Sequence, residues 1–263
     1  MNLDLKKTLF VLPNLFTLLS LCCGFYALAV CLGDPTDRDF YRAALAIIVG
    51  MFCDAIDGRV ARLTRTQSSF GMQFDSLADV ITFGVAPAVL VYRWTLWEWK
   101  PVWGLVAAMA YLAGGAVRLA RFNVIAEREA ARDCKPGKYI LGMPIPTAAG
   151  VLVSLVVLNR ALGGQLREAS ALFVVLTAAL AILMVAPIQF RSFKDLRINV
   201  RTVSLLSLVA ISSVLLAVYL RPSVVLIWLL GCYVALGLIE AMISLSRRIG
   251  RFGKSRRRAR TSR

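Results

Sequence analysis

The chain has 263 residues, of which 59% are hydrophobic and 17% are charged. Soluble domains are closer to about 45–50% apolar and about 25% charged, so this composition argues against a soluble enzyme and predicts a membrane protein with several spans. Basic residues outnumber acidic residues 31 to 15, which in a membrane protein is typical of cytoplasmic loops and contacts with anionic membrane lipids, and no nucleic-acid partner is expected.

Apolar stretches near the length of a membrane-spanning helix recur along the chain and predict an all-α, polytopic integral membrane bundle. We place eight spans at residues 11–32, 41–62, 73–93, 101–121, 143–160, 169–187, 202–220 and 222–244. They form one predicted transmembrane domain over residues 1–245. Residues 246–263 are a basic tail without acidic residues, which we expect to be cytoplasmic and disordered.

The distribution of lysine and arginine predicts the orientation of these spans. If the N-terminus lies in the cytoplasm, 24 basic residues fall on the cytoplasmic side and 7 on the opposite side. This bias follows the positive-inside rule and places both termini in the cytoplasm. On the opposite side, four tryptophans bracket the connection between the third and fourth spans and predict an interfacial aromatic belt, Trp94, Trp97, Trp99 and Trp103.

Four aspartates cluster at the cytoplasmic edge of the second and third spans. Asp54 and Asp57 are three residues apart and Asp75 and Asp79 are four apart, so each pair shares one helical face. Because a short connection joins the two helices, we expect all four carboxylates to meet. Like charges about 5 Å apart repel by about 3 kcal/mol at an effective dielectric constant near about 20, so the cluster requires compensating positive charge.

Divalent cations with oxygen ligands, Mg²⁺ or Mn²⁺, are the natural source of that charge, and they complete their coordination with phosphate oxygens. Gly58, Ala61 and Gly71 keep bulk away from the acidic faces, and Arg62 can hold a phosphate oxygen. Together these residues predict a diphosphate-binding site. The alternative is that the carboxylates form structural ion pairs with nearby arginines, Arg59, Arg62 and Arg65.

The absence of histidine narrows the chemistry available to such a site. No histidine occurs in the chain, which excludes serine–histidine catalysis, histidine zinc sites and phosphohistidine intermediates. Proton transfer must therefore use a carboxylate, lysine, tyrosine or cysteine side chain.

The spacing Asp54-x2-Asp57-Gly58-x2-Ala61-Arg62-x8-Gly71-x3-Asp75-x3-Asp79 is similar to the signature of the CDP-alcohol phosphotransferase family at every fixed position. Pro13-Asn14 with Thr17 resembles the amino-terminal element of that family. Segments 82–87, 118–123 and 142–146 resemble its phosphatidylserine synthase branch. The resemblance covers about residues 10–150, which would form the catalytic core.

The resemblance implies a role for each motif residue. Asp54, Asp57 and Asp75 would bind Mg²⁺ or Mn²⁺ at two sites that hold the diphosphate of CDP-diacylglycerol, and Asp79 would complete the metal site and act as general base toward the incoming alcohol. The CDP-lipid would contact Asn14, Thr17, Asp57, Gly58, Ala61, Arg62, Gly71 and Asp75. A homodimer in the cytoplasmic (inner) membrane, with its active site facing the cytoplasm, is also implied.

The resemblance to the synthase branch implies L-serine as the acceptor, with phosphatidylserine and CMP as products. The serine carboxylate requires a cation, and Arg118 and Arg121 at the end of the fourth span are the candidates, together with Asn123 and Ser76. Alternatively, the two arginines only anchor the helix end at the cytoplasmic membrane surface, as the positive-inside rule describes. Ser76 could likewise form a hydrogen bond only within its own helix and take no part in binding.

Two other functions remain open from the sequence. The same chemistry could use glycerol 3-phosphate, inositol phosphate or choline, although a phosphorylated acceptor requires a denser basic pocket than Arg118 and Arg121 supply. An ion-coupled transporter could also carry acids in its spans, but it would place them near the bilayer midplane, with inverted repeats or broken helices. The phospholipase D-like type of synthase requires histidines and is excluded.

Overall fold

The computed structural model describes residues 5–64, 68–131, 139–186 and 189–191, and the chain is almost entirely helical within these ranges. The helices are α1 (Leu5–Leu32), α2 (Asp37–Thr64), α3 (Ser69–Asp79), α4 (Ala86–Val91), α5 (Trp97–Trp99), α6 (Pro101–Ala131), α7 (Ile145–Ala161) and α8 (Ser170–Val185). π-Helical segments at Val80–Val85 and Tyr92–Leu96 link α3, α4 and α5, and a 3₁₀ turn at Gln165–Glu168 precedes α8. The predicted spans at 202–220 and 222–244 and the basic tail lie outside the described residues.

The helices carry the hydropathy expected of a membrane protein. Three helical stretches are long and apolar enough to cross a bilayer, Pro13–Leu32, Ser69–Leu96 and Pro101–Arg128. Two shorter apolar helices follow at Ile145–Arg160 and Ser170–Val185. The prediction of a helical membrane protein is therefore confirmed for the described part of the chain.

α6 extends well beyond the predicted fourth span. The apolar pattern ends at residue 121, whereas the helix continues to Ala131. The added residues include three Ala, two Glu and one Arg, which favour the helical backbone without continuing the apolar pattern. The helix therefore continues past the predicted end of the fourth span, and Asn123 lies inside it together with Arg118 and Arg121.

The expectation of a purely α-helical chain is wrong in one place. β1 (Tyr139–Leu141) pairs antiparallel with β2 (Gln189–Arg191), with Ile140 opposite Phe190. Strands of three residues are too short to produce an alternating hydropathy pattern. Gly142 follows β1 with a φ of +80°, and a Cβ there would lie 2.1 Å from a carbonyl oxygen in the last turn of α8, so only glycine allows the start of α7 to approach α8 this closely.

The largest buried side chains lie between the helices of the bundle, and they include Phe83, Tyr111 and Trp94. The Tyr111 hydroxyl donates a hydrogen bond to the carbonyl of Phe83 (2.9 Å), inside the first π-helical segment. Trp94 packs edge-on against Phe173, with ring centroids 5.0 Å apart. Its predicted place in an aromatic belt is therefore wrong, because its ring faces the core and is 1% exposed.

Small residues bring α1, α2 and the first π-helical segment into close contact around Thr82. This threonine is fully buried, and its hydroxyl donates a hydrogen bond to the carbonyl of Ser20 (3.1 Å). A Cβ at Gly24 of α1 would lie 2.7 Å from the Thr82 Cα, and one at Gly50 of α2 would lie 2.9 Å from its Cγ2. These contacts fix the three backbones about one turn from the aspartates of α2 and α3.

Candidate active site

Three carboxylates from two helices meet at one end of the bundle. Asp54 and Asp57 belong to α2 and Asp75 to α3, and each offers an oxygen within 4.8 Å of the oxygens of the other two. Asp57 is 4% exposed, and the other two are partly buried. The structure therefore brings together three of the predicted metal ligands, which we call the carboxylate trio.

A hard divalent cation fits the donor set of the trio. Mg²⁺ and Mn²⁺ prefer oxygen ligands, and Mg²⁺ is commonly held by a few carboxylates with phosphate or water oxygens completing its shell. Partly buried carboxylates at this separation repel strongly, and a bound cation offsets that repulsion. The trio can therefore hold a cation that also contacts an anionic ligand.

Asp79 lies beside the trio, at the end of α3. Its carboxyl group lies next to that of Asp54, although it is not among the three carboxylates grouped within 4.8 Å. Arg118 of α6 is near enough to act electrostatically on Asp79 and is 7% exposed. Asp79 therefore connects the trio to α6.

Thr17 links α1 to the trio. Its hydroxyl donates a hydrogen bond to Oδ2 of Asp57 (2.8 Å) and lies 3.2 Å from the carbonyl oxygen of Pro13. Both side chains are buried, at 4% exposure each. A charge-assisted hydrogen bond of this length fixes the direction of the Asp57 carboxylate, so the structure gives Thr17 a contact with a metal-ligand candidate.

The other residues predicted to contact the CDP-lipid lie near the same end. Gly71 lies in the first turn of α3, where its N–H donates a hydrogen bond to the capping serine hydroxyl (3.0 Å). A Cβ at Gly71 would lie 3.5 Å from Oδ1 of Asn14, so these residues are neighbours across α1 and α3. Gly58 and Ala61 are partly buried on α2, and the side chain of Arg62 lies outside the described residues.

A line of polar contacts joins α3 to α6 beside Asp79. Nδ2 of Asn123 donates a hydrogen bond to Oγ of Ser76 (2.9 Å). One turn before Ser76 on α3 and one turn after Asn123 on α6, Nε2 of Gln73 donates a hydrogen bond to Oε1 of Glu127 (3.2 Å). Together with the Asp79–Arg118 approach, these pairs form a polar seam along the two helices, which we call the α3–α6 seam.

Sequence reasoning found four of the six residues of this seam. Ser76, Asp79, Arg118 and Asn123 are predicted site residues, whereas Gln73 and Glu127 were missed. A usable signal was present, because Gln73 precedes Ser76 by three residues and Glu127 follows Asn123 by four, the spacings that place side chains on one helical face.

Arg121 contacts a different part of the structure. Its Nη1 donates a hydrogen bond to the carbonyl of Val185 (3.2 Å), at the end of α8. Its Nη2 lies 3.3 Å from the position that a Cβ would take at Gly142. A cationic side chain at a helix C-terminus satisfies free carbonyls and interacts favourably with the helix dipole, so Arg121 caps α8.

Comparison with known proteins finds matches in the same family whose signature the aspartates resemble. The sequence profile described as CDP-alcohol phosphatidyltransferase matches residues 10–188. The chain is 34% identical over 236 residues to a Helicobacter pylori protein named CDP-diacylglycerol–serine O-phosphatidyltransferase, with 88% of this chain and 91% of that protein covered. A Bacillus subtilis protein of the same name is 34% identical, with 70% of this chain and 91% of that protein covered. A Saccharomyces cerevisiae protein of the same name is also 34% identical, with 55% of this chain and 52% of that protein covered.

Replacing Thr17 with valine should weaken divalent-cation binding, because Asp57 loses the hydroxyl that orients its carboxylate. We expect the dissociation constant for Mn²⁺, measured by electron paramagnetic resonance titration of the purified protein, to rise about tenfold. Thr17→Ser keeps the hydroxyl and should bind Mn²⁺ like the parent protein. Equal weakening in both variants, or none in Thr17→Val, would contradict this role.

Proposed function

Because the chain belongs to the CDP-alcohol phosphatidyltransferase family, we propose that it transfers the phosphatidyl group of CDP-diacylglycerol to the hydroxyl of L-serine. The products are phosphatidylserine and CMP, so the chain is a membrane transferase of phospholipid biosynthesis. The observation that carries this function is the carboxylate trio with Asp79 beside it, in a chain that shares 34% identity over 88% of its length with a relative named for this reaction.

The trio would hold Mg²⁺ or Mn²⁺, at two sites by resemblance to the family, and Asp79 would complete the metal site. When bound, the metal supplies positive charge that offsets the diphosphate of CDP-diacylglycerol and the charge of the departing CMP. Thr17 orients Asp57 through its hydrogen bond. The nucleotide lies where side-chain bulk is smallest, against residues of α1, α2 and α3, namely Asn14, Gly58, Ala61, Arg62 and Gly71.

Asp79 acts as the general base. It accepts the proton of the serine hydroxyl as that oxygen forms a bond to the phosphorus that carries diacylglycerol. The bond between this phosphorus and the bridging oxygen breaks, and CMP leaves with the electron pair on that oxygen. Asp79 is suited to this step because it is close to both Asp54 of the trio and the cationic Arg118, where the lipid donor and the acceptor would meet.

The α3–α6 seam binds the acceptor. Arg118 pairs with the serine carboxylate, and the oxygens of Ser76 and Asn123 accept hydrogen bonds from its ammonium group. Glu127, exposed at the outer end of the seam, favours approach by an acceptor that carries a positive charge. A phosphorylated acceptor would meet repulsion from Glu127, and choline has no carboxylate for Arg118. Arg121 supports this pocket from outside, by capping α8.

The charge distribution supports an arrangement of eight spans with both termini in the cytoplasm. The active site then faces the cytoplasm at the inner membrane, where serine is available. Residues 1–245 form the transmembrane domain and residues 246–263 form a cytoplasmic tail. By resemblance to the family, the protein acts as a homodimer.

CMP release by the purified full-length protein tests the function directly. CDP-diacylglycerol and Mn²⁺ or Mg²⁺ are supplied with serine, glycerol 3-phosphate, inositol phosphate or choline, one at a time. We expect release to require both metal and serine. Release with another acceptor would overturn the assignment of the α3–α6 seam, and no release from folded protein would favour an ion-coupled transporter.

Replacing Asp79 with asparagine should remove the proton acceptor while preserving side-chain size. We expect the turnover number to fall about 10²–10⁴-fold, with CDP-diacylglycerol binding and the thermal midpoint close to those of the parent protein. Asp34→Asn changes an exposed aspartate outside the site and should remain fully active. Near-normal turnover in Asp79→Asn would exclude Asp79 as the base.

Replacing Arg118 with glutamine should affect serine more than the lipid donor. Loss of a charge-assisted hydrogen bond to the carboxylate should raise the KM for serine about tenfold or more, with the KM for CDP-diacylglycerol changed much less. Arg121→Gln is the matched control, and it should lower the thermal midpoint without changing the KM for serine. The opposite pattern would transfer the acceptor role to Arg121.

A further inference from the structure

A polar cavity lies at the other end of the bundle, far from the carboxylates. It has a volume of about 270 Å³ and is lined by residues from the start of α2, the end of α7 and the second π-helical segment. Asp37 at this cavity and Asp54 of the trio are both on α2, and the intervening helix is about 25 Å long. The cavity is therefore separate from the proposed active site.

The cavity carries an excess of positive charge. Its one lining carboxylate, Asp37, is paired with Nη1 of Arg167 (2.8 Å), which also contacts Glu98 through Nη2. Arg38 and Arg160 also line the cavity, and neither forms an ion pair with another described residue. The three arginines and the two acids Asp37 and Glu98 together leave a net charge of about +1 at the cavity, which favours an anionic ligand.

Arg160 is held in a defined orientation at this cavity. Its guanidinium lies over the ring of Tyr41, with Cζ 4.7 Å from the ring centroid. Stacking uses the face of the guanidinium and leaves its N–H donors free to act in the plane. Such a group binds phosphate or carboxylate oxygens in pairs.

Asn159 provides the second and independent indication of a ligand. The residue is 5% exposed and lines the cavity. Its Oδ1 accepts hydrogen bonds from the backbone N–H groups of Leu166 (3.0 Å) and Arg167 (3.2 Å), which settles the orientation of the amide. Its Nδ2 donates to no other described residue. Because Asn159 lines the cavity, its free N–H donors are available to an acceptor supplied by a ligand.

We propose that this cavity binds the phosphate group of an anionic membrane phospholipid, in the leaflet opposite the active site. Two arginines and one amide donor suit phosphate oxygens. The same end of the bundle carries the exposed rings of Trp97 and Trp103, at 50% and 62% exposure. Tryptophan is enriched at the depth of lipid headgroups, so the cavity opens where lipid phosphates lie.

Native mass spectrometry of the full-length protein tests this site, with short-chain phosphatidylglycerol as the probe. Asn159→Asp is the most selective variant, because the retained Oδ1 can still accept both backbone hydrogen bonds while the donor becomes a negatively charged oxygen. We expect Asn159→Asp and the double variant Arg38→Gln/Arg160→Gln to reduce occupancy of one bound lipid by about tenfold. Arg42→Gln, at the same end but paired with Asp39 and outside the cavity, should leave that occupancy unchanged.

Further measurements separate the possible outcomes. All variants should retain CMP release and the thermal midpoint, since none of these residues belongs to the active site, and this keeps a failure here distinct from a failure of the proposed function. If inorganic phosphate binds with the same dependence on Asn159 while the lipid does not bind, the ligand is free phosphate and the lipid proposal is overturned. Unchanged lipid occupancy in both cavity variants would also overturn it.

Discussion

Repulsion among carboxylates is the constraint on which this end of the molecule depends. Three oxygens held within 4.8 Å of one another repel by roughly 3 kcal/mol for each pair at an effective dielectric constant of about 20, and Asp79 adds a fourth charge at their side. This repulsion acts to push α2 and α3 apart. The fold must therefore hold α2 and α3 together by contacts that do not involve the carboxylates.

Close helix packing supplies those contacts. Gly24 and Gly50 let α1 and α2 close around the buried Thr82, immediately beyond the turn that carries Asp79. The π-helical segment that contains Thr82 begins directly after Asp79, and π-helical insertions alter the direction of the side chains around them. Rigid support next to a charged site keeps its ligands in place before a cation or substrate binds.

The sequence predicted the carboxylate site well because the site depends on local spacing. Residues three or four apart share a helical face whatever the rest of the fold does, so the facing pairs of aspartates and the small residues near them could be found without tertiary information. Arg121 and Trp94 show where this reasoning ends. Their partners, Val185 and Phe173, are distant in sequence, and no local pattern distinguishes a helix cap from an anchor or a core ring from an interfacial one.

The two ends of the bundle use arginine differently. At the carboxylate end, Arg118 acts on Asp79. At the opposite end the arginines mostly complete the fold, since Arg93 donates to the carbonyls of Cys31 and Gly33 at the end of α1 and Arg42 and Arg167 pair with acids.

In the proposed orientation this end faces away from the cytoplasm, where basic residues run against the positive-inside bias and a local contact would explain each of them. The capping and ion-pairing contacts provide that reason for Arg42, Arg93 and Arg167. Arg38 and Arg160 take part in no such contact with the described residues, and they line one cavity with Asn159, whose Nδ2 donates to no other described residue. Their position is explained if the charge they offset belongs to a ligand of the protein.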